Sequence, residues 1–483
     1  MARSFADWSR STSCHGFSHL AGSKSKCSKL GWTVVILFCC NCMFDQIGSL
    51  LTDYFQSNNH WVSSSRYQQQ PLGLSAPSIT VCNHNRLRRS KAEQFGMHRH
   101  LRQFFLKRSE LYDYLASEEP ELKENYTKWR ESKDLTKADV YQTMGHSCGD
   151  TFLYASSPYM QPMAPSHLCN ATVQANNVHV VPIITADFGL CHQIHFNQTV
   201  LFTLTGSWAA TKLILNAQTD EYLDDLVNNH VDEGFAIQLS FGRKVLSGHW
   251  ITVMPGYHSW IQMKLKRYQA VSSWFGLSAL LFASYPCLGK PVMPLRLDKD
   301  FDVSSCYVDC QMKQVVEYCR CHPSVPAKNW SMCEPGQFDE CMAEFITKNL
   351  SKEEVKEDCQ KKMCKPPCNE TTIEASLQVS KFPSVRQVAE FQKYIVEMSD
   401  EHIRHDDLAI VDIYHTSLAI EVIETSERIS FSSVLSNIGG QLGLWMGISI
   451  LTTVHIAVSV CMGCCACCQR RKRKTDDMSS SDK

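Results

Sequence analysis

Two apolar stretches, Leu30 to Leu51 and Ile438 to Met462, stand near opposite ends of this 483-residue chain and constrain it more than any other feature. Each is long enough to cross the hydrocarbon of a bilayer, which takes about 20 mostly apolar residues. Backbone polar groups in lipid need internal partners, so both stretches are confined to helices. Everything between them then lies on one side of the membrane. Lys24, Lys26 and Lys29 precede the first stretch, and Arg470, Arg471, Lys472, Arg473 and Lys474 follow the second. Basic flanks stay in the cytosol, so both termini are predicted to be cytosolic in a multi-pass plasma-membrane protein. Residues 1–29 lack the short apolar core and small-residue cleavage site of a secretory signal, which makes the first stretch an uncleaved anchor.

The predicted organisation is a cytosolic segment over 1–29, a spanning helix over 30–52, an extracellular domain over 53–433, a second span over 434–462 and a cytosolic tail over 463–483. Two counts that played no part in placing the spans agree with it. Fourteen of the 24 cysteines fall between the spans, an even number suited to disulfides in an oxidising compartment. All six Asn-x-Ser/Thr sequons, at Asn125, Asn170, Asn197, Asn329, Asn349 and Asn369, lie there too, where glycans are added.

Within the extracellular part, residues 90 to 135 are charged and read as helical, whereas Val178 to Ile184 and Phe235 to Leu239 have strand character. From Cys287 to Cys368 there are ten cysteines in 82 residues around charged helical stretches, which reads as a stapled helical subdomain. Cys319-Arg320-Cys321-His322 is compatible with zinc, but disulfides are the expectation outside the cell, and no metal site is assigned. Basic and acidic side chains balance at 48 to 49, giving no sign of a nucleic-acid partner. With no nucleophile motif or metal constellation, neither an enzyme nor a cofactor is expected.

The second span is unusual inside. Ser436-Asn437-Ile438-Gly439-Gly440-Gln441-Leu442-Gly443-Leu444-Trp445-Met446-Gly447-Ile448-Ser449 is rich in glycine and hydroxyls. Glycine permits close backbone approach and leaves carbonyls accessible, so the segment either packs tightly against another helix or lines water. Gly439, Gly443 and Gly447 recur every four residues, and on the residues alone helix packing is the simpler reading.

Several motifs in order resemble the degenerin, epithelial sodium channel and acid-sensing ion channel superfamily. They are Ser11-Thr12-Ser13-Cys14-His15-Gly16-Phe17-Ser18-His19-Leu20, Pro77-Ser78-Ile79-Thr80-Val81-Cys82-Asn83-His84-Asn85, Gly145-His146, Gly189 to Asn197, Asp220-Glu221-Tyr222-Leu223, the cysteine array, and Gly439-Gly440-Gln441-Leu442-Gly443-Leu444. The resemblance implies a membrane α+β fold: two transmembrane helices carrying a disulfide-rich extracellular domain with a β-sheet palm and β-ball and an α-helical finger, thumb (about 287–368) and knuckle. It implies a trimer, of one chain or mixed with relatives, that passes sodium ions, is blocked by amiloride and opens to protons or a peptide.

Site residues follow from the same resemblance. Gly447, Ile448 and Ser449 match the selectivity filter, expected as an extended tripeptide within a broken helix whose carbonyls and hydroxyl replace ion hydration. Ser436 matches the degenerin position, where a small side chain lets the pore close, and Asn437, Gly439 and Gly440 adjoin it. His15 and Gly16 match a gating motif in a re-entrant segment lining the lower pore. The implied disulfides are Cys82–Cys191, Cys287–Cys368, Cys306–Cys364, Cys310–Cys359, Cys319–Cys341 and Cys321–Cys333; Cys148 and Cys169 are left and are paired by count.

Asn437 and His455 stand where the family often has acidic groups, so the pore loses two rings of negative charge, and His455 becomes either a pore-facing pH modulator or a hydrogen-bonded helix residue. Asp45 in the first span is either a polar partner or a wetted end residue. Cys461, Cys464, Cys465, Cys467 and Cys468 beside the basic tail are palmitoylation candidates next to membrane lipid. Candidate proton sensors are His60, His84, His98, His100 and the acidic residues Asp339, Glu340, Glu344, Glu353, Glu354, Glu357 and Asp358. Tyr54 and Tyr285 are candidates for the joint between palm and spans. The rival readings are a non-conducting two-span receptor, an ATP-gated channel, and a constitutively open or mechanically gated leak channel.

Overall fold

A computed structural model describes residues 14–56, 61–106, 120–170, 178–185, 187–197, 199–223, 232–241, 249–270, 306, 310, 316, 318–322, 331–335, 337, 341, 364, 368–398, 403–449, 451–452 and 454. The chain divides into two compact units, one of Met1–Ser63, Val271–Ser284 and Thr425–Lys483, the other of Ser64–Ala270 and Tyr285–Glu424.

In chain order the helices are α1 (Phe17–Gly22), α2 (Lys26–Gln56), α3 (Arg89–Gln94), α4 (Arg99–Leu106), α5 (Pro120–Lys133), α6 (Lys137–Met144), α7 (Cys148–Thr151), α8 (Pro165–Leu168), α9 (Val388–Met398) and α10 (Phe431–Met446). The strands are β1 (Trp61–Gln69), β2 (Leu74–Ser75), β3 (Ser78–Asn83), β4 (Phe152–Ser157), β5 (Met160–Met163), β6 (Val178–Thr185), β7 (Gly189–Phe196), β8 (Leu201–Phe202), β9 (Thr211–Asn216), β10 (Phe235–Ser240), β11 (Trp250–Val253), β12 (Tyr257–Ala270), β13 (Cys321–His322), β14 (Ser331–Met332), β15 (Asn369–Lys381) and β16 (Leu408–Glu427).

The first unit is built on α2. Its 31 residues contain no proline, and the helix is about 46 Å long at 1.5 Å per residue, so it begins before and ends beyond the predicted 30–52. Among the described residues it is the one helix long and apolar enough to span a membrane. Thr33 and Thr52 donate their hydroxyls to the carbonyls of Lys29 and Gly48, each four residues back, which removes two unpartnered polar groups from an apolar surface. The second predicted span is described only in part. Helix α10 starts at Phe431, where Ser430 Oγ accepts from the Ser433 amide at 3.1 Å, and ends at Met446; residues 455–462 lie outside the described residues.

The second unit has two principal sheets. A seven-stranded sheet runs β15-β12-β16-β9-β4-β5, with β1 also paired to β16, and a five-stranded sheet runs β11-β10-β3-β7-β6. Ile79 and Val81 of β3, Ile194 of β7 and Phe235 and Ile237 of β10 share one apolar core with Leu213 and Leu215 of β9 and Val411 and Ile413 of β16. Alternation along each strand sends these residues to one face. A second core gathers Phe104, Phe105 and Leu106 of α4, Tyr126 of α5 and Val140, Tyr141 and Met144 of α6, as the helical reading of residues 90–135 anticipated. Asp139 and Asp150 close capping boxes with Thr136 and Ser147 at the starts of α6 and α7.

Five disulfides join described cysteines: Cys82–Cys191, Cys148–Cys169, Cys306–Cys364, Cys319–Cys341 and Cys321–Cys333. Cys82 and Cys191 are also direct register partners of β3 and β7, so the bridge reinforces a ladder that already exists. The thiolates that zinc would need from Cys319 and Cys321 are consumed in bridges. Cys310 and Cys368 are disulfide-bonded as well, while Cys359, Cys287 and most of residues 287–368 lie outside the described residues.

Candidate functional site

The predicted filter is where the backbone of the second apolar stretch stops being helical. Gly447 caps α10 with φ 66° and ψ 21°, the left-handed region that suits glycine. Its amide donates to Gly443 O at 3.0 Å, and the Ile448 amide donates to Leu442 O at 3.1 Å. Ser449 then opens a new helical segment: its Oγ accepts from the Thr452 amide at 3.2 Å and lies 3.1 Å from Thr452 Oγ1. The run Gly447-Ile448-Ser449 is thus a three-residue break between a glycine C-cap and a serine N-cap, rather than the extended tripeptide expected, because Gly447 turns left-handed. A helix break leaves carbonyls unpaired along the chain, which membrane proteins tolerate where the backbone lines protein or water.

The predicted gating motif lies against this break. The His15 amide donates to Met446 O at 2.8 Å, taking up one of the terminal carbonyls of α10. A Cβ built on Gly447 would come within 2.6 Å of His15 Cδ2 and 2.7 Å of Nε2, so only glycine fits beside the imidazole. Gly16 has φ 82° and begins α1, and a Cβ there would meet Ile36 Cγ1 of α2 at 3.0 Å. The His19 ring stacks on Trp32 of α2 at 4.7 Å. Gly447 and His15, from opposite ends of the chain, therefore form one close contact, and Gly16 forms a second one with α2.

Helices α2 and α10 are joined by polar contacts that sequence reasoning missed. Trp445 Nε1 donates to Gln46 Oε1 at 3.1 Å and to Gln441 Oε1 at 3.0 Å, and Cys40 Sγ lies 3.7 Å from Met446 Sδ. A glutamine in the middle of an apolar span was the available signal, since hydrocarbon leaves it no other partner. Ser436, Asn437, Gly439 and Gly440 are all exposed on α10. A Cβ on Gly439 or Gly440 would meet nothing within 4 Å, so those two glycines are not required by packing against the chain's own first span. Asp45 is likewise exposed on α2, whereas Tyr54 is buried with its ring edge-on to Phe55.

In the second unit the matched motifs converge on a buried polar cluster. The Asn83 amide donates to Ala217 O, and its Oδ1 accepts from the Asn85 amide at 2.8 Å and from Tyr222 OH at 2.9 Å. His146, 2% exposed, donates from Nδ1 to Gln218 Oε1 at 2.8 Å, so its Nε2 accepts from Asn85 Nδ2 at 3.1 Å. Protonation would set an Nε2–H against that amide in a dry site, and burial pushes the His146 pKa down to about 4. Arg88 reaches Asp150 at 2.5 Å and Glu221 at 3.5 Å, and Glu221 also accepts from Ser90. On β16, Asp412 is 3.0 Å from His258 Nε2 and 3.8 Å from Lys212 Nζ.

Of the candidate proton sensors, His84 is buried, stacks on Phe188 and has its pKa lowered by desolvation, which opposes a role as a freely titrating surface group. His98 and His100 are exposed. His60, the acidic residues at 339, 340, 344, 353, 354, 357 and 358, Tyr285, His455 and the cysteines at 461, 464, 465, 467 and 468 lie outside the described residues, as do Asn329 and Asn349. Asn125, Asn197 and Asn369 are exposed, and Asn170 is also exposed after α8.

A family model described as amiloride-sensitive sodium channel matches residues 8–458. The chain is 23% identical over 460 residues to the bile acid-sensitive ion channel of Rattus norvegicus, covering 93% of this chain and 86% of the relative. It is 24% identical over 424 residues to acid-sensing ion channel 2 of Danio rerio, covering 83% of this chain and 72% of that one. A solved proton-activated chloride channel aligns with 7% identity and a TM-score of 0.33 over 89% of this chain and 97% of the other, too slight a likeness to bear on the fold.

Proposed function

The chain belongs to the amiloride-sensitive sodium channel family, and on that premise we propose that it is a ligand-gated cation channel of the plasma membrane that admits sodium. The observation that carries the reading is the helix break at Gly447-Ile448-Ser449 with His15 bonded to the preceding carbonyl. A pore needs oxygen ligands at a fixed constriction, and a capped break held by a second segment supplies backbone and hydroxyl oxygens at one level. Three copies around an axis would close those oxygens into a ring. Exposed Ser436 and uncrowded Gly439 and Gly440 suit surfaces that face other copies or water. Asn437 and His455 leave the pathway with fewer fixed negative charges than its relatives, so cation permeation is expected with a weaker preference for sodium.

Protons and peptides are the proposed stimuli, and the relative's name adds bile acids to those worth applying. Whole-cell recording from cells expressing the protein, during pH steps, peptide and bile-acid application and amiloride, tests the proposal. Replacing Ser449 should change the ion preference, and a bulky residue at Ser436 should hold the current on. Surface-expressed protein that conducts nothing even with bulk at Ser436 would sink the channel in favour of a non-conducting receptor.

A further inference from the structure

His179 on β6 and His195 on β7 are direct cross-strand partners, and β6 is the outer strand of the five-stranded sheet. Opposed residues of an antiparallel pair share a face with Cβ atoms about 5 Å apart. Here the two imidazole centroids are 5.1 Å apart and 21° from parallel. His179 is exposed and His195 half-buried, so solvent reaches the pair. Ser78, itself 7% exposed, places its Oγ 2.9 Å from His195 Nδ1.

We infer that His179 and His195 form an extracellular binding site for a divalent transition cation of the copper, nickel and zinc class. Imidazole suits these ions, whereas calcium and magnesium take oxygen ligands. Metal–nitrogen bonds of about 2.0–2.1 Å require the two ligating nitrogens to approach within a little over 3 Å. Rings that already face one another across a ladder need only side-chain rotation, and no backbone movement, to turn one nitrogen each toward a shared ion. The contact of Ser78 to His195 Nδ1 leaves Nε2 as the ligating nitrogen of that ring and is the kind of outer hydrogen bond that supports a ligating histidine, while the exposed His179 ring makes the larger adjustment. Both ligands stand on a paired strand, so little chain has to be ordered on binding. Among the described residues no third His, Cys, Asp or Glu joins them, so water fills the other positions. Such a site is reversible and weak beside a structural zinc centre.

Titrating the purified full-length protein in detergent with nickel or zinc chloride, followed by calorimetry, tests this without any current being recorded. We expect saturable binding that is weakened at least about tenfold by His179→Ala and by His195→Ala, weakened less by Ser78→Ala, and unchanged by His167→Ala. His179→Gln keeps the strand polar at that exposed position and should lose binding in the same way, with the metal-free melting temperature unmoved. Equal affinity in the wild type and the His179 variants, or no saturable binding, overturns the site. Metal binding by a protein that conducts nothing would leave this site standing and remove the channel reading; a conducting protein without metal binding would do the reverse.

Discussion

The two units satisfy their polar groups and cysteines in opposite ways. In the disulfide-bonded unit, the described bridges include Cys82–Cys191 and Cys306–Cys364, apolar cores are sealed, and buried side chains such as Asn83, His146 and Asp407 are hydrogen-bonded within the unit. In the unit built on α2, Cys27, Cys39, Cys40 and Cys42 form no disulfide, and α2 buries little beyond Ile36, Met43 and Tyr54. Water drives the first kind of structure, because apolar area gains from leaving it. Lipid gives helices no such incentive, so their association rests on close fit and a few polar contacts. The disulfide-bonded unit seals its apolar side chains in cores, whereas α2 leaves most of its apolar surface exposed.

The largest expected effect on current per channel at the surface falls where the unit built on α2 does have a close fit. Gly447→Ala introduces a Cβ 2.6 Å from the His15 ring at a left-handed position that alone disfavours it by about 1–2 kcal/mol. Current per surface-labelled protein should fall by more than about tenfold. Current equal to the wild type would break the view that the His15 contact defines the conducting site.

Breaking Cys82–Cys191 should cost roughly 2–5 kcal/mol and strip the protein from the cell surface, because the bridge closes a loop of 109 residues. Cys27→Ser, an exposed thiol on α2, should leave surface biotinylation unchanged. Equal losses in the two variants would erase the redox distinction between the units.

Acid should discriminate next. Burial depresses the folded pKa of His146 and of His415 to about 4, against 6.5 for a free histidine. Between those values the unfolded chain binds more protons than the folded one, so stability falls as pH falls from 6.5 to 4 and changes no further below that. Each group accounts for roughly 3 kcal/mol at that limit. His415 is 1% exposed, its ring nitrogens have no hydrogen-bond partner among the described residues, and it meets Phe202 edge-on, so His415→Phe should flatten its share of the pH dependence of the melting temperature. An unaltered profile would show that the charge is accommodated.

The smallest effect belongs to the contact between spans. Trp445→Phe keeps the ring and deletes the donor to Gln46 and Gln441, a loss of about 1 kcal/mol read as a shift in melting temperature in detergent. No shift would mean that fit alone joins α2 to α10.

Much of this was legible in the residues. Leu30 to Leu51 announced α2, and the helix outran that window because Lys26 to Lys29 and Thr52 to Gln56 also tolerate helix and contain no proline. The glycine motif singled out Gly447 as a proposed filter residue, but its left-handed turn and the serine cap that follows were not readable, since glycine accepts several conformations equally. The cluster around His146 was visible only as scattered motifs; that Gln218 and Asn85 grip the two ring nitrogens depends on strands brought together from distant parts of the chain.

By itself, then, the sequence determined the long apolar helix α2 and the alternation of the strands, because length, composition and period act within a few neighbouring residues. Tertiary structure alone decided that His15 lies on Gly447, that Trp445 meets Gln46, that His84 is buried and that His179 faces His195. Those pairings arise from packing between segments far apart in the chain, where no local preference reaches and only the summed fit of the fold selects the partner.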